Sequence, residues 1–402
     1  MTHGSPLPAD PQPPADPQPI ASVPDPLIAP KGLKGLVVAD TELGDVRGLE
    51  GFYHYRQYSA PDLARTRTFE DVWHLFAEGT LPSLAERARF TRETAALREL
   101  PPSLLELLPA IARSDTVPLA GLRTALSQLA ALEDMPPAYD ADAATLRANT
   151  LRLSAAVPVL IAALHRYSVG KAPIAPRADL ATAANYLYMV DGREPDPERA
   201  RAIEQYLILT IDHGFNASTF TARVVTSTGA DVGSAVVAAL GSLSGPLHGG
   251  APSRALDTLD AIGTPANTEP WVRNAIASGE RIMGFGHPVY RTADPRSVLL
   301  HEIAESLGGP LVDFAGQVEV TVEKVLAELK PGRELHTNVE YYAGVVMELC
   351  GLPRTLFTPT FAASRVIGWC AQILEQTDDT AIIRPSARYV GPPPPQPVPA
   401  PA

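Results

Sequence analysis

The sequence has little of what several classes of protein require. It contains two cysteines, Cys350 and Cys370, which are too few and too far apart for a disulfide framework or a cysteine-based metal site. Its longest apolar stretch, residues 154–165, includes Pro158 and is too short to span a bilayer. It carries no run of basic residues, and its net charge of −12 argues against nucleic acid or an anionic membrane as a partner. No basic segment followed by an apolar core marks a signal peptide at the N-terminus, so a cytoplasmic protein is expected.

What is present is the composition of a soluble globular protein, with 45% hydrophobic and 19% charged residues. A chain of 402 residues is long enough for a large domain, a smaller domain and a sizeable core. The two ends differ from the rest, because residues 1–29 are rich in Pro, Ala and Asp and residues 392–402 are mostly proline. Neither end has enough apolar surface to offset the cost of ordering it, so both are predicted to be disordered tails.

Between the tails the sequence pattern is typical of helices. Thr68 and Asp71 form a predicted capping box, apolar residues follow at helical spacing, and Gly79 stands where a helix end is expected. Strand-like sequence is scarce and is found near 35–40, near 51–56 and in a few residues at the ends. Further helices are predicted at 83–98, 103–113, 118–131, 143–167, 178–190, 197–212, 216–227, 231–243, 253–262, 270–278, 296–307, 318–329, 339–350 and 360–376. Many helices with short connections predict a mainly α fold.

Three histidines lie beside glycines, His213 in DHGFN, His248 in GPLHGGA and His287 in GFGHP. Glycine next to a histidine indicates a backbone that approaches something closely. Taken alone, His213 is better explained as a residue at a helix C-terminus, and the neighbouring Asn216 as a helix N-cap. His248 lies between two helical segments, at the kind of boundary where catalytic groups are common.

Glu340 is the carboxylate that completes this set. It follows Asn338, a predicted N-cap, and so falls in the first turn of a helix, where acidic residues are common and the helix dipole keeps a carboxylate ionised. Two imidazoles and a carboxylate can remove one proton while donating hydrogen bonds at two other points. Forming and using an enol requires this combination.

Arginines near these residues can hold a dicarboxylate. Arg291 and Arg296 follow His287, Arg365 lies on an apolar helix face, and Arg384 lies near the C-terminus. Arginine can form two parallel hydrogen bonds to a carboxylate, which a lysine cannot match. An arginine on an apolar face needs either a protein carboxylate or a ligand as partner.

Taken together, these segments closely resemble the citrate synthase family. The matching motifs are HGFNASTF, GPLHGGA, GFGHPVYRTADPR, NVEYYAG, FTPTFAASRVIGWCAQILEQ and IIRPSARYVG, and the likeness begins at KGLKGLVVADTELGDV. Six motifs in the family's order are highly specific, whereas no single one of them would be. The likeness runs through nearly the whole chain between the tails.

The resemblance implies an almost wholly α-helical homodimer with shared active sites. A large domain is expected from residues 30–249 and 351–391, and a small domain from residues 250–350 is expected to close over the substrates. The implied substrates are oxaloacetate and acetyl-CoA, and no metal or redox cofactor is implied.

The resemblance also implies a role for each matched residue. Glu340 matches the family's base, His248 the donor to the thioester oxygen, and His287 the group that polarises the ketone of oxaloacetate. The residues that match the family's oxaloacetate-binding positions are His213, Arg296, Arg365 and Arg384, the last of which usually reaches the other subunit's site. Arg291, Lys330 and Arg333 are candidates for CoA contacts, although surface charges are an equally fair interpretation of them.

Two positions depart from the family pattern. Glu340 stands where most members carry aspartate, and its extra methylene matters because a misplacement of about 1 Å can cost roughly 10²-fold in rate. Pro288 stands where many bacterial relatives have arginine, which bears on the CoA contacts. Three functions stay open: citrate synthase, 2-methylcitrate synthase using propionyl-CoA, and a weakly active paralogue acting as a metabolite sensor or scaffold. One extra methylene in an apolar pocket gives discrimination of only roughly 10- to 200-fold, so mixed acyl specificity is plausible.

Overall fold

The computed structural model of the chain describes residues 27–114, 118–249, 252–287 and 289–399. The chain divides into two units, residues 1–40 and 41–402. In the first unit, the described residues 27–40 form one short 3-10 helix, Lys31–Leu33, and are mostly exposed. The described parts of the predicted tails, residues 27–29 and 392–399, are exposed and lie outside helices and strands, and the rest of both tails lies outside the described residues.

A small antiparallel sheet begins the second unit. Its strands are β1 (Gly44–Arg47), β2 (Phe52–Tyr55) and β3 (Tyr58–Ser59), in the order β1-β2-β3. Tyr53 and Tyr55 lie on the same face of β2, as the two-residue period of a strand requires, and both are buried. Their hydroxyls donate to the carbonyls of Leu209 and Ile208 at 3.1 and 2.9 Å, which fixes the sheet against the helical body.

The strand predicted near 51–56 is confirmed as β2, but the strand predicted near 35–40 is wrong. Residues 36–40 pair with no strand in the described part of the chain, and Val37 is 82% exposed. An apolar, β-branched sequence does not form a strand without a hydrogen-bonded partner.

All the other regular secondary structure described in the second unit is helical, so the predicted mainly α fold is confirmed. The α-helices are α1 (Ala60–Thr66), α2 (Phe69–Glu78), α3 (Leu84–Ala96), α4 (Pro102–Ala112), α5 (Pro118–Leu132), α6 (Ala143–Ser168), α7 (Thr182–Asp191), α8 (Pro197–Thr210), α9 (Ala217–Thr226), α10 (Val232–Leu243), α11 (Pro252–Ile262), α12 (Thr268–Ala277), α13 (Pro295–Leu307), α14 (Pro310–Leu329), α15 (Val339–Leu349) and α16 (Phe357–Thr377). The predicted division into a large domain (30–249 and 351–391) and a small domain (250–350) stays a prediction.

Helix ends follow the capping chemistry of the sequence. Thr68 and Asp71 form the predicted capping box of α2, and Gly79 ends that helix in the left-handed conformation with φ 85°. Two helices differ from expectation: α1 was not predicted, and α14 begins at Pro310 rather than at 318. Proline is well suited to a first helical turn because its missing N–H has no partner to lose there.

The core is organised around α6, which packs against α4, α5, α7 and α16. By length and composition, this 26-residue helix alone among the described helices could cross a membrane, yet 78% of its most apolar window is buried inside the fold. That burial is typical of the core helix of a soluble protein. Cys370, within α16, and Cys350, just after α15, are both buried as small apolar residues.

Three helices of the site begin at capped N-termini. The side chains of Asn216, Asp294 and Asn338 accept a backbone N–H from the first turns of α9, α13 and α15, respectively. The caps predicted at Asn216 and Asn338 are thereby confirmed.

Candidate active site

A cavity of about 540 Å³ gathers most of the candidate residues. It is bordered by the loop before α9, the loop after α10, the loop before α13, and the helices α13, α15 and α16. The candidates that line it are His213, His248, His287, Arg296, Glu340 and Arg365. Candidates up to 152 positions apart in sequence, His213 and Arg365 at the extremes, therefore converge on one space.

The loop that carries His248 is shaped by glycine. A Cβ on Gly249 would lie 2.6 Å from the carbonyl oxygen of Leu243, so no other residue fits there without movement. The loop presents His248 with its Nε2 2.8 Å from the Ser218 hydroxyl, which leaves Nδ1 as the ring nitrogen available to a ligand. Burial, followed by the charge of Arg365, lowers the pKa of His248 to about 4, so its imidazole is neutral at neutral pH.

The His287 side chain has a defined tautomer. Its Nδ1 accepts the backbone N–H groups of Val289 and Tyr290 at 3.0 and 3.2 Å, so the single proton of the neutral ring is on Nε2. Burial and then the charge of Arg296 lower the pKa of His287 to about 4. Arg296 Nη2 lies 3.3 Å from Nε2, and because both groups carry hydrogens this is a contact between two donors rather than a hydrogen bond. Two adjacent donors form a receptor for one electronegative oxygen.

His213 completes the cluster of imidazoles. Its Nε2 is 2.9 Å from the Tyr290 hydroxyl, and its ring is nearly perpendicular to that of His287, with centroids 5.6 Å apart. Burial, then the charge of Arg296, lowers the pKa of His213 well below its ordinary value. The three histidines are therefore neutral together, and each offers a hydrogen bond rather than a positive charge.

The His287 loop and the start of α15 are fastened to each other. Gly286 donates its N–H to the carbonyl of His336 at 2.8 Å, and Asn338 donates its side-chain amide to the carbonyl of Gly286 at 3.0 Å. Asn338 also caps α15 by accepting the N–H of Glu340 at 3.0 Å. One asparagine thus sets the position of His287 relative to Glu340.

Glu340 has the electrostatic character of a base. Burial raises its pKa to about 7, with Arg296 opposing and Asp294 adding to that shift. Desolvation therefore opposes the ionisation that the helix dipole favours at this position. Its carboxylate accepts no hydrogen bond from any residue in the described part of the chain, so it is available to take a proton. A base whose pKa lies near 7 combines ionisation with proton affinity.

Asp294 is an important residue that the sequence analysis did not select. It caps α13, its carboxylate pairs with the Arg296 guanidinium through contacts of 3.0 and 2.7 Å, and it accepts the N–H of Val339 at 3.2 Å. Asp294 and Arg296 are 1% and 3% exposed, so neither charge is stabilised by water. Each side chain instead neutralises the charge of the other. The aspartate before Pro295 was a recognisable N-cap signal, but its contact with α15 is visible only in the fold.

Arg365 is held differently. Its Nε donates to the carbonyl of Thr210 at 2.9 Å, and its guanidinium lies 4.6 Å from the centroid of the Phe361 ring. No carboxylate of the described residues lies within ion-pair distance, although Arg365 is only 2% exposed. Buried Asp212 interacts electrostatically with Arg365 from beyond that distance, and the terminal nitrogens of Arg365 donate no hydrogen bond to any described residue, so they are available to an anion in the cavity.

Comparisons with known proteins identify the family of the chain. A family model described as "Citrate synthase, C-terminal domain" matches residues 32–386. The chain belongs to the citrate synthase family. It is 38% identical over 364 residues to the citrate synthase of Haloferax volcanii, covering 90% of this chain and 95% of that protein. It is also 41% identical over 362 residues to 2-methylcitrate synthase of Mycobacterium tuberculosis, covering 90% of each.

A solved structure shows that the chain has the citrate synthase fold. A ternary complex of Thermoplasma acidophilum citrate synthase with carboxymethyl coenzyme A and oxaloacetate matches with a TM-score of 0.85 and 30% identity, over 92% of this chain and 98% of that one. The resemblance to the citrate synthase family and the citrate synthase fold expected from sequence are confirmed, and the chain is an enzyme of the transferase class. Within the described residues, no group of three or more His, Cys, Asp or Glu side chains is placed to hold a metal ion.

Four candidates do not line the cavity of this citrate synthase family member. Arg384 is exposed in the segment after α16, and Arg291 and Arg333 are exposed in loops. Lys330 is partly buried at the end of α14. The departure noted at Pro288 lies outside the described residues.

Proposed function

We propose that this citrate synthase family member condenses acetyl-CoA with oxaloacetate and hydrolyses the citryl-CoA that forms, without a metal or redox cofactor. The observation that supports this most strongly is the convergence of Glu340, with its raised pKa, on two neutral imidazoles and two buried arginines in one cavity. Such a set suits a reaction in which one carbon loses a proton while two carbonyl oxygens gain negative charge.

In the first step Glu340 removes a proton from the methyl carbon of acetyl-CoA. Such a carbon is a very weak acid, so the developing enolate oxygen needs stabilisation at the same time. His248 supplies it by donating from Nδ1, because its Nε2 is occupied by Ser218. Since the ring is neutral, the enol forms against a hydrogen-bond donor rather than a full positive charge.

Oxaloacetate occupies the neighbouring side of the cavity. Its ketone oxygen accepts from His287 Nε2 and Arg296 Nη2, the two donors that lie 3.3 Å apart. Its carboxylates are held by Arg365, by Nη1 of Arg296, whose Nε bonds to Asp294, and by His213. The enol carbon attacks the polarised ketone carbon, so that a C–C bond forms. The ketone oxygen takes up one proton, in balance with the one that Glu340 removed, and becomes a hydroxyl. Water then cleaves the thioester, leaving citrate and the free thiol of CoA.

A homodimer would complete the site. Arg384 is exposed beyond the end of α16 and lies away from the cavity of its own chain, as suits a residue that binds oxaloacetate in the partner's site. For CoA we propose Arg291, Lys330 and Arg333. We also propose the backbone of the 284–287 loop as a CoA contact. This loop is bonded to the segment that follows Arg333, since Gly286 donates its N–H to the carbonyl of His336. Residues 250–350 would close over the substrates as a small domain.

A second candidate is 2-methylcitrate synthase, which the 41% identity to the mycobacterial enzyme favours. Propionyl-CoA brings one more methyl group to the carbon beside Glu340. Small residues near that point, such as Ala343 one turn along α15, leave space that either acyl group can use. Discrimination by one methylene is only roughly 10- to 200-fold, so we expect both thioesters to react at different rates.

The test is release of CoA thiol from purified protein with oxaloacetate and either acetyl-CoA or propionyl-CoA. The protein's own blank should be small, because Cys350 and Cys370 are buried and burial raises the pKa of each thiol to about 12. Faster turnover of acetyl-CoA supports citrate synthase, and faster turnover of propionyl-CoA supports the methylcitrate enzyme. Release from neither, by a folded dimer, would refute both and favour a sensor or scaffold.

A further inference from the structure

Asp212 is a buried carboxylate that the proposed mechanism does not use. It lies between α8 and α9, directly before His213, and is 2% exposed. It does not line the cavity, and its Oδ1 has no hydrogen-bond partner among the described residues. Such an oxygen is costly to bury in the ionised form, because neither water nor a donor stabilises its charge.

The segment that carries Asp212 packs closely against α16. Arg365 Nε donates to the carbonyl of Thr210 at 2.9 Å, and a Cβ on Gly368 would lie 2.1 Å from the carbonyl oxygen of Ile211. Asp212 and Arg365 interact electrostatically across this contact without forming an ion pair. Since Arg365 lines the cavity and Asp212 does not, the carboxylate acts on the charge of Arg365 without occupying the space of a ligand.

Other polar groups near Asp212 leave Arg365 as the cation that it faces. The Tyr55 hydroxyl lies 3.2 Å from the Asp212 carbonyl and 3.4 Å from its backbone nitrogen, so it serves the main chain. Glu375 on α16 is a like charge, and it forms an ion pair with Arg223. Burial, opposed by the charge of Arg365, raises the pKa of Asp212 to about 6. Asp212 therefore changes its charge not far below neutral pH.

The charges of the two buried arginines are largely offset before a ligand binds. Asp294 pairs with Arg296, and ionised Asp212 opposes the charge of Arg365. An oxaloacetate dianion adds two negative charges to such a pocket, and like charges in a buried site disfavour each other. A proton on Asp212 removes one of these negative charges and leaves the charge of Arg365 without an opposing one.

We propose that Asp212 takes up a proton from the solvent when oxaloacetate binds, so that Arg365 presents its full positive charge to the dianion. Asp212 acts on the substrate through Arg365 and is not a catalytic residue. Protonation and binding are reciprocal: if the bound dianion raises the pKa of Asp212 by about one unit, the protonated form binds about tenfold more tightly than the ionised form. The inference rests on the proposed binding of oxaloacetate between Arg296 and Arg365.

Calorimetry of oxaloacetate binding counts the proton directly. The heats measured in two buffers of different ionisation enthalpy give the number of protons taken up per site. The E340Q variant serves as the starting protein, because Glu340 is a cavity carboxyl whose charge also changes near neutral pH. For a rise of about one unit from a pKa of about 6, we expect E340Q to take up about half a proton per site near pH 6.5.

Two further variants in the E340Q background identify the group that takes up the proton. D212N keeps the shape of the side chain and removes the acceptor, so uptake should fall below about 0.1 proton. At pH 8 its Kd for oxaloacetate should be about tenfold lower than that of E340Q, because a like charge is gone. E375Q, the matched control, removes the neighbouring carboxylate and should leave the uptake at about half a proton. Uptake that survives D212N, or that E375Q abolishes, would overturn the proposal.

Should D212N fail to fold, the pH dependence of oxaloacetate binding to E340Q gives a second measurement. Asp212 loses its proton at a lower pH in the free protein than in the complex, so the Kd should rise about eightfold between pH 5 and pH 8. A Kd that stays constant over this range would overturn the proposal. Failure of the proposed function is distinguishable, since the parent protein would then bind no oxaloacetate, whereas binding without proton uptake refutes this inference alone.

Discussion

Replacing Glu340 by aspartate would place the family's usual residue in this site, and we nevertheless expect it to slow the enzyme. The start of α15 is held at two points, by Asp294 accepting the N–H of Val339 and by Asn338 accepting the N–H of Glu340. The backbone therefore cannot advance to compensate, and the shorter side chain withdraws the carboxylate by about 1 Å. A displacement of that size costs roughly 10²-fold in rate.

Thiol release at saturating substrates measures this effect directly. We expect kcat of E340D to fall about 100-fold while KM for oxaloacetate stays within about threefold, because the groups that bind the dicarboxylate are untouched. E340Q, which keeps the length but cannot accept a proton, is the matched control and should be slower still. Full activity in E340D would refute the reasoning, since it would mean that the start of α15 moves freely or that Glu340 is not the base.

The pH profile of the parent enzyme tests the same carboxylate. A base acts in its ionised form, and burial raises the pKa of Glu340 from its ordinary value of 4.5 to about 7. Since the shift is upward, kcat/KM for acetyl-CoA should fall about tenfold for each pH unit below 7 and level off above it. A limb centred near pH 4.5 would show that the carboxylate is hydrated and that the cavity does not have the burial described here.

Three further changes probe other parts of the site. D294N leaves the buried Arg296 without its counter-charge, so the free energy of unfolding measured by urea titration should fall by about 3–5 kcal/mol. A fall of under 1 kcal/mol would contradict the buried ion pair. A343V narrows the cavity one turn along from Glu340 and should raise the preference for acetyl-CoA over propionyl-CoA about tenfold, and an unchanged ratio would place the acyl group elsewhere. E340Q and R384A should each be nearly inactive alone. When the two variants are unfolded and refolded together, half of the dimers contain one copy of each, and each such mixed dimer holds one intact site of its two. The mixture should therefore recover about a quarter of the parent activity. No recovery in a mixed dimer would mean that Arg384 serves its own chain.

Local chemistry explains why most helices were predictable. Thr68 with Asp71, Gly79, Asn216 and Asn338 all act at helix ends as their residue types suggest, because a cap needs only its own first turn. The segment near 35–40 shows the limit of such reasoning, since a strand depends on a partner elsewhere in the chain.

Site residues that belong to sequence motifs could be predicted, whereas residues that join the site only through contacts in the folded protein could not. His248, His287 and Glu340 stand in distinctive motifs, and the fold brings all three to one cavity. Asp294 links two helices, and Asp212 faces the charge of Arg365 on α16. In sequence, Asp294 is an ordinary capping residue and Asp212 an ordinary polar residue after a helix end, and the relation of each to the site exists only after the helices pack.

Burial gives the base and its hydrogen-bond donors their character through one physical cause. A low-dielectric surrounding disfavours whichever form of a group is charged, so it raises the pKa of Glu340 and lowers the pKa values of His248 and His287. The carboxylate thereby becomes a stronger base, while the imidazoles stay neutral and donate without competing for the proton that Glu340 removes. Water admitted to the cavity would reverse both effects together, weakening the base and promoting protonation of the donors. Exclusion of water is therefore a requirement of the proposed chemistry, and it gives a physical reason why the predicted small domain, residues 250–350, would close before the proton moves.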